Sequence, residues 1–169
     1  MPEQVGTIVS TEDTPTSDEF MFVLEQPVKK EQFVEFDTEE GRAVARVSSV
    51  RKSNVFFTNA ESVSESRKQG VSLQDQFPTD EREHLIGEGH VLGVYQSNGL
   101  IKRPTFPPSP GTDVYLAEQD RLADFLGLEE DGGITIGGVQ FQDLDASLNL
   151  TKLFQKHLAI LAQSGAGKS

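Results

Sequence analysis

The chain has 169 residues, enough for one domain of ordinary size with a buried core. With 36% hydrophobic and 25% charged residues, the composition is typical of a folded globular protein and argues against a disordered chain. A net charge of −12 opposes a general DNA-binding surface, and the lack of cysteine excludes disulfides and Cys-type zinc sites.

Membrane and secretion signals are not apparent in this sequence. The longest apolar runs, residues 20–24 and 158–162, are far shorter than the roughly 20 residues that span a bilayer. The first 15 residues lack the basic and apolar regions of a secretory signal peptide. We therefore expect a cytoplasmic protein that does not contact a membrane.

Acidic residues are concentrated near the start of the chain. Residues 12–40 hold ten acidic residues and two lysines. This pattern favours a solvated acidic face. A docking face for a basic partner and the acidic surface of a salt-adapted protein are alternatives that composition leaves open.

The first 50 residues predict four β-strands separated by polar turns. Runs rich in Val, Ile, Phe and Thr cover residues 5–10, 19–24, 33–37 and 42–50. The last two predict a hairpin around Gly41 with one buried face. In its first strand Val34 and Phe36 alternate with Glu35 and Asp37, which places the two acids on the solvent face. In its second strand the buried set is Ala43, Ala45 and Val47, alternating with Arg42, Val44 and Arg46.

The middle of the chain predicts two further strands joined by an extended connector. Residues 90–96 and 113–117 have strand-like composition. Between them, residues 103–111 hold four prolines, which prevents both a helix and a central strand. Residues 59–70 are polar and predict a weak surface helix or a loop.

A short helix and two glycine-flanked strands follow. Leu122, Phe125 and Leu126 share one helical face, and Gly127 can end that helix. Residues 132–141 predict two more short strands around glycine turns. The fold class is therefore mainly β, with a small N-terminal β-barrel of five to seven strands and short helices over residues 1–150.

Other candidate sites are weak. His84, His90 and His157 are not at metal-ligand spacings, which favours structural or surface roles. The Gly87-Glu88-Gly89 stretch lacks the third glycine of a dinucleotide-binding fingerprint. We find no basis for a hydrolytic catalytic residue within these 169 positions.

The strongest motif is the final one, in which an apolar run is followed by the letters QSGAGKS. A buried strand entering a glycine-rich loop is the context of a phosphate-binding P-loop, or Walker A motif. Ala162 stands at the first glycine position of that motif, so the match departs from the pattern by one residue. The predicted ATP-phosphate ligands are Gln163, Ser164, Gly165, Ala166, Gly167, Lys168 and Ser169.

Each part of this loop has a chemical role. Gly165 and Gly167 allow backbone N–H groups to converge on the β-phosphate. Lys168 would place its charge between the β- and γ-phosphates, and the Ser169 hydroxyl would bind Mg²⁺. ATP and Mg²⁺ are therefore the expected cofactors. A coincidental Gly/Ser turn is the alternative interpretation.

The arrangement resembles the HerA-type ATPases of the FtsK–HerA superfamily, in which a barrel shared with ATP synthase subunits (the HAS-barrel) precedes the ATPase domain. The most specific stretch is KHLAILAQSGAGKS at residues 156–169. Support comes from residues 5–10, the hairpin region 25–50, residues 91–95 and the connector with its following strand, 103–117. The resemblance implies that residues 151–169 begin a truncated P-loop ATPase domain.

The resemblance also implies a function. It points to an archaeal, hexameric ring ATPase that translocates or unwinds double-stranded DNA in DNA repair, working with a NurA-type nuclease. The barrel would mediate ring assembly and partner docking. The acidic residue that activates water and any arginine finger would lie beyond Ser169, so we expect no ATP hydrolysis by residues 1–169 alone.

Two other hypotheses remain open. A rotary ATP synthase-type subunit also places a barrel before a P-loop, although such subunits carry a more glycine-rich loop. Alternatively, the folded part is a stand-alone protein-interaction module to which the terminal loop is irrelevant.

Overall fold

The structure, a computed structural model, describes residues 3–54, 68, 83–96, 99–128 and 133–154. The chain divides into two compact units, Met1–Glu118 and Gln119–Ser169. The sequence-based division into residues 1–150 and 151–169 stays a prediction. The expected helix or loop at residues 59–70 lies outside the described residues, apart from Lys68.

The described residues of the first unit form seven β-strands. They are β1 (Gln4–Val9), β2 (Glu19–Leu24), β3 (Phe33–Thr38), β4 (Gly41–Asn54), β5 (Glu83–Tyr95), β6 (Ile101–Lys102) and β7 (Asp113–Leu116). All of the pairings between them are antiparallel.

Six of these strands close into a barrel. The order of pairing is β1, β2, β5, β4, β3 and β7, and β7 pairs with β1 again. Closure gives every one of the six strands a neighbour on both sides, which removes their exposed edges. Strand β6 lies outside this ring and pairs with the end of β5 through Val94 and Tyr95. The predicted mainly β class and the barrel of five to seven strands are confirmed.

Inward-facing apolar side chains fill the barrel because strands alternate their two faces. Three phenylalanines form its centre: the Phe20 ring lies 4.7 Å from that of Phe36 in an edge-on arrangement and 5.6 Å from that of Phe22. Other members of this buried cluster include Ile8, Val34, Ala43, Ala45, Val47, Val91, Val94 and Val114. The predicted inward faces of the β3–β4 hairpin are therefore confirmed.

Two glycines of β5 make room for these rings. Phe20 pairs with Gly89, and Phe22 pairs with Gly87. A Cβ atom added at either glycine would lie 2.4 Å from the facing ring. The Gly-Glu-Gly stretch thus has a packing role. The same packing explains why β5 begins at Glu83 instead of at the predicted residue 90. Glycine weakens the sequence signal of a strand, but here a phenylalanine ring on the facing strand compensates for the missing side chain.

The proline-rich connector and the turn at Gly41 both match their predictions. Residues 103–112 contain neither helix nor strand. Gly41, at the start of β4, has a φ of +136° and leaves no space for a side chain, since an added Cβ would lie 1.9 Å from the Tyr95 carbonyl oxygen. Only glycine fits this position.

The second unit contains a helix α1 (Gln119–Leu126), a hairpin of β8 (Gly133–Gly138) and β9 (Asp145–Asn149), and a short helix α2 (Leu150–Phe154). Gly127 follows α1 with a φ of +67°, as expected for a helix stop. Leu122 and Ala123 are buried in α1, whereas Leu126 is 38% exposed, so the predicted apolar face is only partly correct.

The prediction of two strands within residues 132–141 is wrong. The described part of that stretch, residues 133–141, holds one strand, β8, and its partner β9 begins at Asp145. Strand β9 lacks the β-branched run that marks strands in sequence, and its pairing with β8 decides its conformation.

Candidate functional site

The predicted phosphate loop, Gln163 to Ser169, lies outside the described residues, as do the apolar run before it and His157. The roles assigned to these residues therefore stay predictions. The structure does describe the ion pairs and hydrogen bonds of the barrel that precedes the loop.

A buried carboxylate marks the outer wall of this barrel. Glu35 of β3 is fully buried, although alternation places it on the face opposite Val34 and Phe36. Its Oε1 accepts a hydrogen bond of 3.1 Å from Arg42 Nη2. The sequence-based expectation of a solvent-facing Glu35 is wrong, and Val44, the residue paired with it on β4, is buried as well.

Arg42 joins three strands. Besides Glu35, it binds Asp37 on β3 through Nη1 and Oδ2 at 2.8 Å. Its guanidinium carbon also lies 5.1 Å from the centre of the Tyr115 ring on β7, a cation–π distance. Asp37 is 76% exposed, as expected, so the guanidinium spans from solvent to the buried carboxylate.

Electrostatics keep this guanidinium charged. Burial acts to lower the pKa of Arg42, but the hydrogen bonds to Asp37 and Glu35 outweigh that effect, and the pKa lies above its usual value. A buried carboxylate is tolerated when a permanent cation faces it. The signal for the Asp37–Arg42 ion pair was present in the sequence, because Asp37 lies directly opposite Arg42 in a hairpin register fixed by Gly41.

A second carboxylate holds the proline-rich connector. Glu40, in the β3–β4 turn, accepts hydrogen bonds from the backbone N–H of Thr105 at 2.8 Å and of Phe106 at 3.2 Å. The Thr105 hydroxyl donates to the other oxygen of the same carboxylate. These contacts link residues 65 and 66 positions apart and fix the connector against the turn.

The same contacts make Glu40 more acidic. Hydrogen bonds from the Thr105 side chain and backbone lower its pKa below the usual 4.5, with smaller help from the Phe106 N–H and the charge of Lys102. Sequence reasoning missed this contact because it joins a turn to a distant loop, which no periodic pattern records.

The surface near the connector also contains a pocket. It has a volume of about 350 Å³ and is lined by Asp18, His90, Val91, Leu92, Arg103 and Pro104. Within the described residues, no group of three His, Asp or Glu side chains could hold a metal ion. Nor does any helix of the described ranges have the length and apolar character to cross a membrane.

Comparison with known proteins gives consistent matches. Residues 134–169 match the family described as "Helicase HerA, central domain". A probable helicase of Methanocaldococcus jannaschii is 28% identical over 156 residues, which cover 90% of this chain and 29% of that protein.

Two relatives carry the name "DNA double-strand break repair helicase HerA". The Saccharolobus solfataricus protein is 25% identical over 91% of this chain and 29% of its own length. The Pyrococcus furiosus protein is 29% identical over 100% of this chain and 30% of its own length. The chain thus spans about three tenths of the length of these relatives. Together the matches confirm the predicted resemblance: this chain is similar to the HerA-type helicases of the FtsK–HerA superfamily.

Proposed function

We propose that the chain is part of a HerA-type ATPase that translocates or unwinds double-stranded DNA. The observation that carries this proposal is the coincidence of the QSGAGKS loop with the match of residues 134–169 to the HerA central domain. A cytoplasmic location is part of the same proposal.

The terminal loop would bind the phosphates of ATP. Backbone N–H groups from Ser164 to Lys168 would bind the β-phosphate, the Lys168 ammonium would neutralise charge on the β- and γ-phosphates, and the Ser169 hydroxyl would contribute a ligand to Mg²⁺. When bound, Mg²⁺ and ATP would supply the phosphoryl chemistry, whereas this chain would contribute binding and orientation.

The barrel would mediate ring assembly, with a hexamer as the expected ring, and would dock partners such as a NurA-type nuclease. Closure of six strands and the Glu35–Arg42 contact support a rigid body suited to that role. The net charge of −12 agrees with DNA contacts made elsewhere in the protein.

Nucleotide binding tests the first part of the proposal. Fluorescent ATP should bind to the full-length protein in the presence of Mg²⁺, and Lys168→Ala should weaken that binding by one to two orders of magnitude, about 1.4 to 2.8 kcal/mol. Lys30→Ala, a surface lysine of the first unit, is a matched control that should bind as the wild type does. Equal binding by wild type and Lys168→Ala would refute the phosphate-loop role.

A further inference from the structure

The β8–β9 hairpin of the second unit has one polar face and one apolar face. Thr135 pairs with Ser147, and their hydroxyl groups form a hydrogen bond of 3.0 Å on the polar face. Ile134 pairs with Leu148, one position along each strand. Because successive side chains of a strand point to opposite faces, these two apolar residues lie on the other face, and Ala146 lies there with them.

A β-bulge adds a second isoleucine to the apolar face. Ile136 is the extra residue between the pairs formed by Thr135 and Gly137, and it has no partner on β9. Alternation along β8 places it on the side of Ile134. We call this surface the apolar hairpin face, and its members are Ile134, Ile136, Ala146 and Leu148.

The apolar hairpin face is open to solvent among the residues that the structure describes. Ile136 is 66% exposed and Ile134 is 45% exposed, whereas the apolar residues of the barrel core are exposed by 6% or less. An isolated two-stranded hairpin is only marginally stable in water and needs packing against further structure. An antiparallel sheet with one apolar and one polar face typically buries the apolar one. This face therefore requires a cover.

The family match indicates to which domain the hairpin belongs. It begins at residue 134, the second residue of β8, and continues through β9 and α2 to Ser169. The hairpin and the predicted phosphate loop are thus matched by one and the same family domain. Since the chain spans only about three tenths of the HerA-type relatives, most of each relative has no counterpart in residues 1–169.

The hairpin and the loop are also close in sequence. Only residues 150–162 lie between the end of β9 at Asn149 and the first residue of the loop, Gln163. A short tether gives the hairpin a high effective concentration near whatever structure forms around the loop. A phosphate loop joins a strand to a helix in a sheet that is covered on both faces, so such a domain offers apolar surface close by.

We propose that the apolar hairpin face packs against the ATPase core that follows Ser169 in the full-length protein. The polar face, with Thr135 and Ser147, stays in contact with solvent. Burial of the two isoleucines supplies the packing that the hairpin lacks by itself. This inference rests on the proposed function, and it names the surface through which residues 133–149 join the ATPase domain.

Thiol labelling of the full-length protein tests whether the face is covered. Residues 1–169 contain no cysteine, so Ile136→Cys and Thr135→Cys each add one thiol to this region, on opposite faces of β8. Both positions are exposed in the described structure, so the hairpin alone would leave both thiols reactive. A maleimide should label the thiol of Ile136→Cys about tenfold or more slowly than that of Thr135→Cys, and both equally in urea.

Mass spectrometry of the β8 peptide separates this labelling from that of any other cysteine. Ile134→Cys tests the same face at a second position, and circular dichroism like that of the wild type would show that each variant folds. Equal labelling rates on the two faces of the folded protein would overturn the inference.

A photocrosslinker attached to the thiol of Ile136→Cys identifies what covers the face. We expect crosslinks from β8 to sequence beyond Ser169 of the same molecule, and few from the matched control Thr135→Cys. A mixture of isotopically light and heavy protein distinguishes contacts within one molecule from contacts between two. Crosslinks confined to residues 1–118, or formed with a second copy, would overturn the assigned occupant.

Nucleotide binding separates this inference from the proposed function. Binding of fluorescent ATP that is lost in Lys168→Ala, together with equal labelling of the two hairpin faces, would overturn the packing and leave the function intact. A protected apolar face in a protein whose ATP binding is unchanged by Lys168→Ala would overturn the phosphate-loop role and leave the packing intact.

Discussion

Glu35 is fully buried on the outer wall of the barrel and accepts a 3.1 Å hydrogen bond from Arg42 Nη2. The pair ties β3 to the first residues of β4, and the stacking of Arg42 on Tyr115 extends the connection to β7. Three neighbouring strands of the ring are therefore held by one guanidinium.

Removal of this guanidinium should destabilise the barrel strongly. Arg42→Ala leaves the Glu35 carboxylate buried without its cation, a change that costs about 3–5 kcal/mol in comparable buried pairs. Urea unfolding followed by circular dichroism would measure the loss. Arg46→Ala is the matched control: its ion pair with Glu31 is partly exposed, and its loss should cost at most about 1 kcal/mol. Equal stability of the two variants would contradict a structural role for the buried pair.

Substitution of either glycine of β5 should also lower the stability of the barrel. Gly89→Ala and Gly87→Ala would each force a methyl group against a phenylalanine ring, and we expect a loss of about 1–3 kcal/mol in the free energy of unfolding. Thermal or urea unfolding would measure it. Gly138→Ala is the control, since its added Cβ meets nothing closer than 3.9 Å.

A compensating change tests the cause of that loss. Phe20→Leu removes the ring that faces Gly89, so the double variant with Gly89→Ala should lose less stability than the sum of the two single variants. Strict additivity would mean that contact with the ring is not the reason.

The contact between Glu40 and the proline-rich connector should depend on pH. Its pKa is lowered in the folded protein, so the stabilising contact with the connector is complete above pH 4.5 and is lost as the pH falls through the lowered value. NMR shifts of the Thr105 and Phe106 amides should therefore titrate with a midpoint below 4.5. Thr105→Val removes the hydroxyl donor and should move the midpoint of the Phe106 shift upward. A midpoint at or above 4.5 in the wild type would contradict the contact.

Residues 1–169 alone should hydrolyse no ATP. The groups that activate water in P-loop ATPases follow the loop in sequence, and none is identified in this stretch. Release of labelled phosphate at the same rate by wild type and Lys168→Ala is expected. A higher rate in the wild type would show that residues 1–169 carry a complete catalytic site.

Much of the barrel could be predicted from sequence because its signals are local. Alternation of Val34 and Phe36, the turn at Gly41 and the prolines of the connector each reflect the conformation of a few neighbouring residues. Pairing between distant strands carries no such signal. The predicted start of β5 and the prediction of two strands within residues 132–141 were therefore wrong, since both depend on the strand that lies alongside.

Among the polar contacts, too, those with a local sequence signal could be predicted and those without one could not. The pairing of Asp37 with Arg42 could be predicted from the hairpin register, whereas burial of Glu35 could not, because alternation only separates the two faces of a strand and does not show what covers the outer one. The contact of Glu40 with Thr105 joins a turn to a loop and has no sequence pattern. The phosphate loop is the opposite case, since its chemistry is carried by a contiguous motif.

ATP hydrolysis by the full-length protein is the most direct test of the proposed function. The rate should be measured with and without double-stranded DNA, for wild type and for Lys168→Ala. We expect DNA to stimulate the wild-type rate and Lys168→Ala to reduce that rate to background. Hydrolysis that survives Lys168→Ala, or a purified wild-type protein with no hydrolysis under either condition, would contradict a HerA-type ATPase that uses this loop.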